Sequence, residues 1–134
     1  PFMPMHPGVY ADLLSAKMAE HGATAWLINT GWSGGAYGVG ERMKIRYTRA
    51  MLNAALDGEL DHVAYVTDAR FGFEVPASCP GVPDDVLQPR ETWGDGAAYD
   101  ATADRLAQMF NENFSRYAEG VSDAVNAAAP APLS

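Results

Sequence analysis

The chain has 134 residues and a formal net charge of −8, so it is one domain or part of one. An apolar content of 48% with 10% aromatics argues against wholesale disorder. Seventeen acids against nine bases argue against a nucleic-acid partner, which would need clustered Lys and Arg.

Cys79 is the single cysteine, which rules out an intrachain disulfide and a Cys-rich zinc site and suits a reducing cytoplasm. No apolar run approaches the ~20 residues of a membrane span, and the N-terminus has no signal-peptide pattern. A cytoplasmic protein is expected. The first residue is Pro1 rather than Met, which suggests a processed or excised piece.

In chain order, the proline-rich start gives way to a helix predicted from Pro7 or Gly8 to His21. Tyr10, Leu13, Leu14 and Met18 share one face, Pro7 suits the first turn, and Gly22 suits the position after the last. Thr24-Ala25-Trp26-Leu27-Ile28-Asn29 reads as a short, buried strand ended by Gly31. A glycine-rich loop spans 31–40. A helix is then predicted from about Thr48 to Leu56 with Gly58 ending it, followed by a strand at 62–67 and a possible third at 71–75.

Pro76, Pro80, Pro83 and Pro89 predict an extended surface excursion with at most one helical turn. The longest helix is predicted from about Ala97 to Glu119. Tyr99, Ala103, Leu106, Phe110, Phe114 and Tyr117 form its apolar stripe and are read as core packing. Asp100, Asp104, Gln108, Asn111 and Ser115 take the opposite side, Glu112 and Arg116 form an i,i+4 pair, and Gly120 stops the helix. A short, weak helix is predicted from Val121 to Ala129 before a frayed tail. The result is a mixed α/β piece whose helices cover its strands incompletely.

The chemistry concentrates where the run Gly31-Trp32-Ser33-Gly34-Gly35-Ala36-Tyr37-Gly38-Val39-Gly40-Glu41 meets Arg42-Met43-Lys44-Ile45-Arg46-Tyr47-Thr48-Arg49. Glycines allow unusual dihedrals and close approach to a ligand. A guanidinium can lie on a purine face, the backbone at the next residue can meet the base edge, and a hydroxyl six positions on can bond base or ribose. On the residues alone, the glycines are equally a flexible surface loop, Arg42 a solvated charge, and Thr48 a capping hydroxyl. Gly38-Val39-Gly40 is not a dinucleotide fingerprint, because the third glycine and the acidic ribose reader are missing.

Those residues are similar to the adenosine-binding segment of ATP-dependent phosphoenolpyruvate carboxykinases. The likeness extends along the chain, through Phe2-Met3-Pro4-Met5-His6-Pro7-Gly8-Val9-Tyr10-Ala11, Ile28-Asn29-Thr30-Gly31-Trp32, Phe71-Gly72-Phe73-Glu74-Val75-Pro76 and Pro80-Gly81-Val82-Pro83 to Gln88-Pro89-Arg90-Glu91-Thr92-Trp93. It implies about the last quarter of such an enzyme: the C-terminal part of its nucleotide-binding domain, incomplete as a fold on its own, with an adenosine loop at 30–48 and a helical region at 97–129. The family converts oxaloacetate and ATP to phosphoenolpyruvate, ADP and carbon dioxide in gluconeogenesis, using Mg²⁺ and Mn²⁺.

Carried over by that resemblance, the nucleotide contacts are Arg42, Met43 and Thr48. No catalytic residue and no metal ligand is assigned. A phosphate loop needs Gly-Lys-Ser/Thr, and the two lysines, Lys17 and Lys44, follow Ala16 and Met43. The segment alone is therefore expected to be inactive, with the upstream part of the enzyme or copies of itself as partner.

The rival reading is a non-catalytic relic or binding module of the same family. His6, His21 and His62 are scattered, Cys79 has no activating base, Asp84 and Asp85 read as solvated loop charges, and Asp68 and Arg70 could pair, or Arg70 could face the upstream part.

Overall fold

A computed structural model describes residues 4–29 and 31–133. Pro1, Phe2, Met3 and Thr30, which belong to the motifs and loop above, lie outside the described residues. Helix α1 (Pro7–His21) starts with Pro7 in its first turn and ends at Gly22 in the left-handed conformation, as predicted. His6 caps it, accepting from the Gly8 amide at 3.1 Å. Leu13 and Leu14 on its apolar face are more than half exposed.

Residues 24–29 form no strand. They are mostly exposed, with Trp26 and Ile28 half-buried, and no described segment makes a ladder with them. A strand depends on its neighbour's hydrogen bonds, and an apolar run cannot supply these itself. The chain then folds into hairpin β1 (Trp32–Ser33) with β2 (Glu41–Arg42), antiparallel, pairing Trp32 with Arg42 and Ser33 with Glu41.

Helix α2 (Ile45–Leu56) begins three residues before the predicted start. Lys44 occupies its N-cap without a side-chain hydrogen bond, so no capping signal marked the entry. Gly58, left-handed at φ 72°, leads into a 3-10 turn at Glu59–His62. A second hairpin joins β3 (Tyr65–Thr67) to β4 (Glu74–Pro76). Both predicted strands exist in shortened form. Phe71 and Gly72 belong to the turn, where Asp68 Oδ1 accepts from the Arg70 and Phe71 amides at 3.0 and 2.7 Å. Asp68 therefore serves the backbone and does not pair with Arg70's side chain.

The proline-rich excursion carries single turns α3 (Asp84–Leu87) and α4 (Pro89–Thr92). Its return packs on α2. Ala54, Leu60, Cys79, Val82 and Leu87 form the main buried cluster, with Trp26, Tyr47, Met51 and Val86 around it. Burial, then nearby Glu59, pushes the Cys79 thiol up, so it stays protonated and inert.

Helix α5 (Gly96–Phe114) is capped by Asp95, whose carboxylate accepts from the Ala97 and Ala98 amides. It ends five residues before the predicted Glu119. Arg116 therefore lies beyond it and does not stack one turn past Glu112, and Gly120 sits in a later turn.

The buried face of α5 also differs from the sequence expectation. Ala103, Asp104 and Ala107 are buried, whereas Leu106 and Phe110 are 43% and 52% exposed. Arg70 draws Asp104 inward through a 2.6 Å ion pair and lies 3.4 Å from Asp100. The tail closes over the same face. Asn111 Nδ2 donates to Pro130 O, Ala131 N to Arg70 O, and Leu133 N to Asp104 Oδ1. Two alanines leave room for the tail to lie close. Short helix α6 (Asp123–Ala127), capped by Ser122, precedes it.

A broad apolar groove of about 1340 Å³ remains open. Trp26, Leu27, Phe71, Phe73, Leu106 and Phe110 line it. The stripe read as core thus borders open space. Among the described residues, no helix is long and apolar enough to cross a membrane.

Candidate functional site

Hairpin β1–β2 builds the site. Between its strands, the Ala36 carbonyl accepts from the Val39 and Gly40 amides at 3.0 and 2.9 Å and turns the chain back. The turn is tight because Gly40 has no side chain. A Cβ there would sit 2.5 Å from Ser33 O and 2.6 Å from Gly35 O, inside van der Waals contact with backbone. The Met43 amide extends the pairing one residue further, donating to Gly31 O at 2.9 Å.

Arg42 leaves this ladder exposed, with its backbone held by Trp32. Trp32 meets Tyr37 edge to face at 5.2 Å, which stiffens the hairpin's outer side. Arg42, Lys44, Arg46 and Arg49 are four of the chain's nine lysines and arginines, so the loop-to-helix junction is a cationic spot on an acidic chain. Arg46 lies over the Tyr47 ring at 4.8 Å and donates to its hydroxyl at 2.9 Å.

A cleft of about 430 Å³ opens beside the junction. Ser33, Gly34, Glu41, Arg42, Met43, Lys44 and Tyr47 form one wall. Pro83, Asp85, Val86 and Thr92 form the other. Of the three sequence-predicted contacts, Arg42 and Met43 line the cleft and Thr48 does not. Thr48 is half-buried in the first turn of α2, four residues after Lys44, with its amide 3.4 Å from Lys44 O. It is inside the helix and does not cap it, so the capping reading is set aside.

Sequence reasoning missed the opposite wall. Asp85, read as a solvated loop charge, is exposed but borders the cleft, and Thr92 accepts from the Gly34 amide at 3.0 Å. The Gln88-Pro89-Arg90-Glu91-Thr92-Trp93 motif marked that segment as family-like without giving it a task. Nearby, Arg90 holds the Asp100 carboxyl below its usual range through hydrogen bonds of 3.0 Å, with Arg70 adding to the effect. Among the described residues, no group of three or more His, Cys, Asp or Glu side chains could hold a metal ion.

The family described as phosphoenolpyruvate carboxykinase, in its ATP-using form, matches residues 1–85. A phosphoenolpyruvate carboxykinase (ATP) of Geotalea uraniireducens is 58% identical over 125 residues, covering 93% of this chain and 24% of the relative. The enzyme of the same name from Paracoccus denitrificans is 57% identical, covering 96% and 24%. That of Thermus thermophilus is 55% identical, covering 97% and 25%. The chain therefore spans about a quarter of the length of the curated relatives it matches. With 85 of its 134 residues matched by the family pattern, the chain belongs to the ATP-dependent phosphoenolpyruvate carboxykinase family.

Proposed function

We propose that this chain is the C-terminal segment of an ATP-dependent phosphoenolpyruvate carboxykinase, and that it supplies the adenosine end of the ATP site. The whole protein would convert oxaloacetate and ATP to phosphoenolpyruvate, ADP and carbon dioxide in the cytoplasm. The observation that carries the reading is the placement of Arg42 and Met43 on one wall of the cleft, at the mouth of a hairpin closed by Gly40.

The residues suit a nucleoside. Arg42 is exposed on a backbone fixed by the β1–β2 ladder, so its guanidinium is free to lie on a purine face while its main chain stays still. The Met43 amide is already committed to Gly31 O, so a base edge would be met by the Met43 carbonyl. A carbonyl accepts from the exocyclic amine of adenine, and the corresponding edge of guanine carries an oxygen, which a carbonyl repels. Thr48 lies in the first turn of α2, outside the cleft lining, and its hydroxyl would bond the base or ribose of a nucleotide reaching past the cleft. When bound, ATP supplies the phosphoryl group. This chain would hold and orient its far end, which is a positioning role. No metal ligand and no phosphate contact is assigned to it, and Mg²⁺ and Mn²⁺ belong to the reading of the whole protein.

The chain's openness supports the reading as a segment. Its accessible area is 9656 Å², whereas a compact monomer of its mass would expose about 6,800 Å². The apolar groove and the exposed Leu13 and Leu14 of α1 are among the surfaces left uncovered. The rival, a self-sufficient binding module, has no such observation in its favour.

Arg42→Ala and Thr48→Val in the whole protein test the assignment. Losing a charged stacking partner costs on the order of 1 kcal/mol, about fivefold to tenfold in ATP and ADP affinity, while oxaloacetate binding holds. Wild-type nucleotide affinity in both variants would overturn it.

A further inference from the structure

We propose that Thr92 is a positioning residue for the nucleotide loop: its hydroxyl pins the glycine hairpin to α4 and thereby sets the place of Arg42. The inference rests on the adenosine reading above and extends it to the opposite wall of the cleft.

Thr92 Oγ1 accepts from the Gly34 amide at 3.0 Å and donates to Pro89 O at 2.7 Å. One hydroxyl thus serves both partners, using its donor and acceptor capacity together. The Gly34 bond spans 58 residues of sequence and joins segments that share no strand or helix. Gly34 directly follows β1. The next pairs back along the ladder are Ser33 with Glu41 and Trp32 with Arg42. A fixed Gly34 therefore fixes the strand that holds the Arg42 backbone.

The two backbones approach closely. A Cβ on Gly34 would lie 3.0 Å from Thr92 O, and Gly34 takes φ 78°, a conformation that favours glycine. Both residues line the cleft, and both are half-buried. Replacing the hydroxyl with a methyl would leave a partly buried amide without its acceptor. That penalty exceeds the worth of the bond itself.

The test uses the whole protein carrying this chain, with Thr92→Val, Thr92→Ser and Arg42→Ala made side by side. Steady-state kinetics give KM for the nucleotide, KM for oxaloacetate and kcat. Amide exchange at Gly34 reports the clamp directly. Thr92→Val removes both hydroxyl bonds and leaves the Gly34 amide without its acceptor, and is expected to raise the nucleotide KM about fivefold to tenfold. The oxaloacetate KM should stay put, and Gly34 exchange should quicken. Thr92→Ser should restore both. A fold defect would instead depress kcat and move both KM values together.

An unchanged nucleotide KM or unchanged Gly34 exchange in Thr92→Val overturns the clamp, as does failure of Thr92→Ser to restore them. An unchanged nucleotide KM in Arg42→Ala overturns the adenosine reading instead. If Thr92→Val still shifts the KM in that case, the clamp stands and the contact it serves is a different one.

Discussion

Removing the charge of Asp104 should unfasten the C-terminal tail. In the structure, Asp104 is 6% exposed in its side chain and bonds Arg70 at 2.6 Å, and Arg70 itself is 12% exposed. The same carboxylate accepts from the Leu133 amide at 2.9 Å. Asp104→Asn keeps the shape but loses the charge, and its amide nitrogen, in the place of Oδ2, faces the Arg70 Nη2 donor. Breaking a buried pair typically costs 3–5 kcal/mol. Asp100, 3.4 Å from Arg70, keeps part of the guanidinium's compensation. The lower end, about 3 kcal/mol, is therefore expected.

Ala131 is the cleanest reporter, since its amide donates to the Arg70 carbonyl at 2.8 Å and not to the mutated group. Its hydrogen exchange should accelerate roughly a hundredfold if local opening follows that cost. The double change Arg70→Met with Asp104→Leu should recover much of the protection, because no charge is left buried alone. Acceleration of Ala131 exchange by less than about twofold in Asp104→Asn would refute the view that this pair holds the tail.

Four further outcomes are expected. Gly40→Ala should force the β1–β2 hairpin apart, since its Cβ would stand 2.5 Å from Ser33 O; nucleotide affinity in the whole protein should fall roughly tenfold. Gly94→Ala, whose Cβ would meet nothing within 4 Å, should leave binding intact. Acid titration should show the Asp100 partnership. Its folded pKa is lowered by Arg90, so its stabilisation is complete above the ordinary carboxylate value and is lost as pH falls through the lowered folded value. Arg90→Gln should therefore flatten the stability loss below about pH 4, measured by urea midpoints across pH. The 134-residue chain alone should show no carboxykinase turnover and should self-associate in light scattering, with no sharp monomeric melt. A compact monomer melting cooperatively at micromolar concentration would contradict the segment reading and favour a self-sufficient module.

What could be read from the sequence divides along local and non-local lines. Helix α1 was legible to its ends because Pro7 and Gly22 act where they stand. The prolines were legible as a limit on helix, but at most one turn was expected and the structure has two, α3 and α4, the second opened by Pro89 itself. Residues 24–29 misled, since strand formation needs a partner strand and an apolar run does not carry one. Helix α5 misled for the same kind of reason: Asp104 is buried because Arg70, 34 residues away, reaches it. At the site, the glycine run and the family likeness pointed to Arg42 and Met43, and both line the cleft. Thr92 was not pointed to, because its bond to the Gly34 amide exists only where α4 meets the hairpin.

The central claim is that this chain holds the adenosine of ATP, and photolabelling tests it most directly. The whole protein is irradiated with 8-azido-ATP, and the modified peptides are mapped by mass spectrometry, with and without excess ATP. The account predicts ATP-protected label on peptides from 31–48, with the opposite wall at 83–92 as the other site within reach. Protected label confined to peptides outside this chain would contradict it.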